Sequence, residues 1–267
     1  YLVLLVFSCT FRIAFQVNFV KELRIVNEST AKNIKDFPHS AFLSIESYDG
    51  YFLCGASVLN QNVLLTAAHC LSGDSPTKIY AFAGNVLYTK ALKVRAKYYY
   101  FHTEYDIHPV RNDIGAVLLK KPLPLGERIR RVALLSTGTR ATRGIVAGWG
   151  YLGYNNLQEP VQTKVLHVTQ QKIWNLEFCR EALLRNIADG FICGGDLDSN
   201  SYTAKGDSGS ALIVDDYIQV GIVSHKIPRA SRSLTLYTDT SYYYDWIRDS
   251  VRFLHCRNSR RNSCSFT

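Results

Sequence analysis

Short apolar runs broken by turn residues constrain this chain more than any other feature. Between Ala41 and Thr66 such runs alternate with Asp49-Gly50, Gly55 and Asn60-Gln61-Asn62, and the pattern continues through Ile79–Ala83, Ala91–Tyr100, Ala116–Leu119 and Val132–Leu135. Many short strands at this spacing require a closed barrel or a sandwich, because isolated strands cannot bury their apolar faces. No stretch before Ile173 carries helical periodicity. From there Trp174, Leu176, Leu183 and Leu184 predict a helical segment over Ile173–Asn186, and Ile247, Val251 and Leu254 predict a terminal helix over Tyr243–Leu254. Hydrophobic residues make up 47% of the 267 positions, enough for a sizeable core, so disorder is excluded.

Three segments carry chemistry. Gly206-Asp207-Ser208-Gly209-Ser210 sets a serine between two glycines, which frees the backbone for a tight turn and lets a substrate approach. Taken alone, the pentapeptide also reads as an ordinary turn. Thr66-Ala67-Ala68-His69-Cys70 closes the apolar run Val63-Leu64-Leu65 and places a histidine at the mouth of a strand. Asn112-Asp113 precedes the run Ile114–Leu119. A hydroxyl is a weak nucleophile at neutral pH and needs an adjacent base; an imidazole oriented by a buried carboxylate fits that role. Of the other histidines, His102 and His108 sit six apart without a third ligand, and His39, His167 and His255 read as surface or core residues.

The order His69, Asp113, Ser208 is that of the chymotrypsin-type triad. In these motifs the chain resembles the chymotrypsin/trypsin family of serine endopeptidases from Ile25 to about Leu254. The resemblance implies an all-β fold of two antiparallel six-stranded barrels with a C-terminal helix, the first barrel over about 25–135 with His69 and Asp113, the second over about 136–242 with Ser208. Residues 25–254 would form the protease domain and 255–267 a basic tail. Ser208 would be the nucleophile, His69 the general base and acid, Asp113 the orienting carboxylate, and the backbone N–H groups of Gly206 and Ser208 the oxyanion site. Gly148-Trp149-Gly150 looks like the family's strand-edge Gly-Trp-Gly, with a structural role.

The resemblance also implies a zymogen. Cleavage after Arg24 would free the ammonium of Ile25 to pair with Asp207, although Asn27-Glu28 stand where the family has two glycines. Asn27-Glu28-Ser29 is in addition a glycosylation sequon. Cys54–Cys70 and Cys179–Cys193 match family disulfides; Cys256 and Cys264 remain to pair with each other, and Cys9 has no evident partner. No CxxC pair is present, so neither metal nor cofactor is expected.

Specificity departs from the trypsin pattern. Tyr202 stands where trypsin-like members carry an aspartate that selects Lys or Arg, so tryptic specificity is not expected. Ala204 replaces a pocket cysteine, Ser224-His225-Lys226 replaces Ser-Trp-Gly, Thr235 replaces a pocket glycine, and Ser210-Ala211 replaces Gly-Pro. Tyr202, Ser224, Lys226 and Thr235 are the expected substrate-binding positions. The added bulk implies a pocket that is shallow, blocked, or lined by a cation favouring acidic side chains.

Tyr1–Phe7 is an apolar run too short to span a bilayer and reads as the hydrophobic region of a secretory signal within 1–24. With no methionine anywhere, the translation start is expected to be missing. A secreted, monomeric peptidase is expected, acting on proteins or peptides, matured by a trypsin-like protease and open to protein inhibitors. The net charge of +9 reads as solvated surface, and no nucleic-acid or membrane-binding pattern accompanies it. Two rivals stand beside this reading: a catalytically silent homologue acting as a binding or regulatory protein, suggested by the altered pocket, and a polyanion-binding module, suggested by charge alone.

Overall fold

The computed structural model describes residues 29–258 apart from 49, 74, 75, 77, 155–159, 184–186, 196–202 and 227–232. Six strands form the first barrel: β1 (Ser40–Ser47), β2 (Gly50–Val58), β3 (Val63–Thr66), β4 (Lys78–Ala83), β5 (Leu92–Phe101) and β6 (Gly115–Leu119). They close in the order β1-β2-β3-β6-β5-β4, every pairing antiparallel. Alternation drives the closure. In β4, Ile79, Ala81 and Ala83 point inward while Lys78 is exposed and Tyr80 and Phe82 are half-buried.

The second barrel repeats this plan with β7 (Arg143–Gly148), β8 (His167–Trp174), β9 (Phe191–Gly194), β10 (Ala211–Val214), β11 (Ile218–Lys226) and β12 (Thr235–Asp239). Its order is β8-β7-β10-β11-β12-β9, and a β8–β9 pairing closes the ring. Read by position within each half, both barrels run 2-1-4-5-6-3 around the circle. The segments at the ends of the first half bind the second: Ser29–Thr30 pairs with β8, and Ala133–Leu134 runs parallel to the start of β11.

The predicted helix over Ile173–Asn186 is corrected at its start. Ile173 and Trp174 continue β8, pairing with Gly194 and Cys193, and α1 spans Leu176–Leu183. Asn175 explains the boundary, because its side-chain oxygen accepts the N–H of Phe178 at 2.7 Å and so caps the helix. Asn186 lies outside the described residues. The terminal helix α2 covers Tyr244–Asn258. It follows the second barrel but packs on the first: Leu254 is buried with Val63, Ala116 and Leu118, and Trp246 stacks on Tyr100 at 5.9 Å. That cover accounts for β6 being buried on both faces.

Disulfides join Cys54 to Cys70 and Cys179 to Cys193, the pairings implied by the resemblance. Each closes a loop of about 15 residues, a cross-link of roughly 3 kcal/mol in the chain-entropy account. Cys256 is disulfide-bonded, and Cys264 lies outside the described residues. No described helix is long and apolar enough to cross a membrane.

Candidate active site

His69 sits in a single 3-10 turn, Ala68–Cys70, directly after β3. Two ties fix it. Cys70 is bonded to Cys54 on β2, and the His69 backbone N–H donates to Asp113 Oδ1 at 2.9 Å. Its ring Nδ1 lies 2.8 Å from Asp113 Oδ2. The sulfurs of Cys54 and Cys70 lie close to this ring, but as a disulfide they offer no thiolate to a metal.

Asp113 is presented by the turn entering β6. The preceding Asn112 has φ +53°, a left-handed conformation that asparagine tolerates, and its side chain holds the turn through Glu104 O and Tyr243 OH, both at 2.8 Å. The second barrel completes the cage: Ser224 Oγ donates to Asp113 Oδ2 at 2.5 Å, and Thr238 Oγ1 donates to the Asp113 carbonyl at 2.7 Å. Burial on its own would push the Asp113 carboxyl up. The charge of His69 and the hydrogen bonds from His69 and Ser224 together outweigh it and hold the group below the usual range. Burial likewise works to lower His69, yet the Asp113 carboxylate leaves its pKa raised. The pair therefore favours an imidazolium facing a carboxylate, which is what a base needs after accepting a proton.

Ser208 comes from the second barrel, on a turn between Gly206 at φ +95° and Gly209 at φ +85°. Close approach to the first barrel places it. The Gly55 N–H on β2 donates to Ser208 O at 2.7 Å, and a Cβ on Gly209 would lie 2.2 Å from Thr66 Oγ1 and 2.3 Å from Gly55 O. The serine turn is thus pressed onto the end of β3, three residues before His69. Gly55 is equally constrained, since a Cβ there would meet Ser210 Oγ at 1.9 Å. The sequence reading of Gly55 as a turn between apolar runs is corrected: it lies inside β2, where a glycine lets another backbone approach closely.

Asp207 points the other way, into the protein. Its two carboxylate oxygens accept the N–H groups of Gly150 and Ala204 at 2.8 and 2.7 Å. Burial raises its pKa to about 6, opposed by those two hydrogen bonds and by the charge of Lys226. Gly148 and Gly150 are required by this carboxylate, because a Cβ on either would fall within 2.7 Å of it. Trp149 between them is buried and donates to Val86 O at 2.8 Å.

His69, Asp113 and Ser208 line one cleft of about 260 Å³ together with Tyr105, Ile107 and Val110 from the first barrel and residues 203–205 and 223–226 from the second. Of the expected substrate-binding positions, Ser224 and Lys226 are on the cleft wall, Thr235 is fully buried behind it, and Tyr202 lies outside the described residues, as do Arg24 and Ile25. Gly206 is buried beside Gly150 and Tyr151. Sequence reasoning passed over Thr203 and Lys205 on the same wall, and a lone threonine and lysine carry no local signal. His102 stacks on Trp246, with ring centroids 5.6 Å apart.

Two barrels of one topology, with a histidine–carboxylate pair and a glycine-flanked serine lining the cleft they share, define the double-barrel class of serine protease folds. The Trypsin family model matches residues 25–247, and the chain belongs to that family. It is 27% identical to Trypsin II-P29 of Gallus gallus over 215 residues, covering 80% of this chain and 85% of that protein. It is also 27% identical to Trypsin theta of Drosophila melanogaster over 222 residues, covering 81% and 83%. Among solved structures, a collagenase structure titled HL collagenase has a TM-score of 0.74 at 21% identity, covering 85% of this chain and 99% of that one. The scabies mite inactivated protease paralogue S-D1 also gives 0.74, at 22% identity, covering 85% and 97%. Those two likenesses concern the fold.

Proposed function

We propose that the protein is a secreted serine endopeptidase, made as a zymogen, that hydrolyses peptide bonds with non-tryptic specificity through Ser208, His69 and Asp113. The observation that carries this reading is the buried Asp113 carboxylate 2.8 Å from His69 Nδ1, in the cleft that Ser208 also lines. Ser208 Oγ bonds to the substrate carbonyl carbon as its proton passes to His69 Nε2. The oxyanion is met by the backbone N–H groups of Gly206 and Ser208, and loss of one such donor costs about 10²–10³ in turnover. The imidazolium returns the proton to the leaving amine as the C–N bond breaks. Water then attacks the acyl ester with His69 again as base, which frees the acid and restores Ser208.

Maturation would cut after Arg24, leaving residues 25–254 as the protease domain beside a basic tail at 255–267. The freed Ile25 ammonium would neutralise the buried Asp207. Buried charges without a partner are costly, so this pairing would give a switch-like activation. The partners are protein or peptide substrates, an activating trypsin-like protease and protein inhibitors, and the protein acts as a monomer.

The test is to cut the purified chain after Arg24 and treat it with a fluorophosphonate probe. Labelling should map to Ser208 and vanish in Ser208→Ala and His69→Ala. Correctly cut, folded protein that takes no label would instead support a silent homologue.

A further inference from the structure

A cavity of about 940 Å³ opens at the junction of the two halves, and it shares no lining residue with the cleft. One wall comes from the segment ahead of β1, the second from the segment linking the barrels, and the third from the β10–β11 turn. β11 starts at that turn and ends on the cleft wall at Lys226, which sets the two places roughly 25 Å apart at ~3.3 Å per strand residue. Ligand sites favour such junctions, and their volumes run ~300–1,000 Å³.

The lining includes a polar group with nothing to bind. His39 is 4% exposed, yet its ring makes no hydrogen bond among the described residues, and its ring contact is with Phe37 at 6.5 Å. The backbone around it is fixed, since the Val58 N–H donates to His39 O at 3.0 Å and the Arg130 N–H to Pro38 O at 2.9 Å. Burial keeps the imidazole neutral at pH 7, so one ring nitrogen donates and the other accepts. A buried polar ring without a partner is costly, and the cavity is the space from which a partner reaches it.

Water alone would meet that need, but the remaining walls do not suit water alone. Leu125 and Tyr217 leave large apolar side chains 44% and 58% exposed, and both line this cavity. The charges divide into two sides. Glu127 is taken up by Lys35, which leaves Arg130 and Arg131 without a hydrogen-bonded carboxylate among the described residues. Asp36 and Asp216, equally without a cation bonded to them there, also border an adjoining cavity of about 170 Å³ that neither of these arginines lines.

We propose that this cavity is a peptide-binding site distinct from the cleft, taking a short apolar peptide with both termini free. Its carboxylate meets Arg130 and Arg131, its ammonium meets Asp36 and Asp216, and the backbone between them bonds to His39. A single anion or cation would satisfy only one side and face repulsion from the other. An extended tripeptide is about 10 Å long, close to the edge of a cube of this volume. The site makes no use of Ser208, so it stands apart from the peptidase reading.

The probe is leucyl-alanyl-leucine, titrated into the uncut chain carrying Ser208→Ala so that nothing is hydrolysed, with the histidine ring signals followed by NMR. The His39 signal should shift and saturate at millimolar peptide or below, while the His69 signal stays in place. N-acetylation and C-amidation of the peptide should each weaken binding by about fivefold, because each removes one partly exposed charge pair. Arg130→Ala/Arg131→Ala should weaken the free peptide by about fivefold and leave the C-amide unaffected. Asp36→Asn/Asp216→Asn should do the same to the free peptide and spare the N-acetyl form. All four positions are exposed, so these variants keep the fold. A His39 signal that never moves, equal binding of free and capped peptides, or a shift at His69 alone overturns the proposal. So does acetate or methylammonium moving His39 as strongly as the peptide, which would make this a site for a single ion.

Discussion

The two barrels share one strand order but differ in what fills them. The first is almost wholly apolar: Leu43, Ile45, Leu65, Ile79 and Val117 sit in a single large cluster that also takes in Tyr243 and Ile247 from around α2. The second keeps polar side chains inside. Tyr237 is fully buried and donates to Gln171, whose amide donates to Thr169, while Gln219 accepts from Ser57 of the first barrel at 2.6 Å. A uniformly apolar frame holds shape without directional bonds, and it presents the rigid pair His69 and Asp113. A hydrogen-bonded interior fixes particular contacts, and the second barrel supplies Ser224 and Thr238, which bond to Asp113, and Ser208, which lines the same cleft. Topology was duplicated; the division of labour lies in the side chains.

The contact between the halves is the most breakable point. Gly209 carries φ +85° and has no space for a Cβ against Thr66 and Gly55. Gly209→Ala combines left-handed strain with overpacking, each about 1–3 kcal/mol, so a loss of roughly 3–5 kcal/mol in unfolding free energy is expected. A shift of the serine turn by about 1 Å would cost catalysis about a hundredfold or more. Chemical denaturation and active-site labelling read the two effects separately. A folded variant with full labelling would mean that the barrels are not docked through this glycine.

How much of this was legible follows the same division. His69, Asp113 and Ser208 could be picked out because each closes or opens a strand and carries its signal within a few residues. The alternating runs supplied the all-β class and most strand positions, as at Ile79–Ala83. What stayed hidden is non-local. The boundary at Asn175 was masked because Ile173, Trp174 and Leu176 are all apolar, although the capping asparagine was in view. The hydroxyl contact between Thr203 and Thr235 joins residues 32 apart and appears only once β12 and the serine loop are in place. The glycines of Gly148-Trp149-Gly150 looked like framework and prove to make room for the Asp207 carboxylate. Close-packed polar contacts leave no periodicity to read.

Two buried titrating groups, one in each half, sharpen the comparison through pH. His39, just before β1, is held down to about 4 by burial, against 6.5 when unfolded. Its contribution to stability is whole above pH 6.5 and is lost as pH falls through 4, a swing of about 3 kcal/mol. Asp207 runs in the opposite direction. Burial lifts it to about 6 from 3.8, so the folded state holds a proton that the unfolded chain has released, and about 3 kcal/mol is lost as pH rises from 4 to 6. The two slopes overlap and largely cancel in the intact chain. Relative to it, His39→Asn should unmask a fall in stability between pH 4 and 6, and Asp207→Asn a rise. Cutting after Arg24 should remove the fall if the new ammonium pairs with Asp207. Parallel curves for all four proteins would remove any role for these groups.

The smallest expected effect tests whether the second barrel tunes the first. Ser224 Oγ donates to the same Asp113 oxygen that faces His69 Nδ1, and it belongs to the opposite barrel. Ser224→Ala removes one charge-assisted hydrogen bond, worth about 1.5–3 kcal/mol, and deletes little volume. Asp113 keeps its partners in His69, so the carboxyl rises without losing its orientation. With its charge no longer shared with Ser224, the more basic carboxylate holds the His69 proton more tightly, and the acid limb of the kcat/KM profile should move up. Turnover at neutral pH should drop by about tenfold, the equivalent of 1.4 kcal/mol in transition-state stabilisation. A limb that stays in place with turnover unchanged would make Ser224 a passive part of the wall and leave the pair entirely to the first barrel.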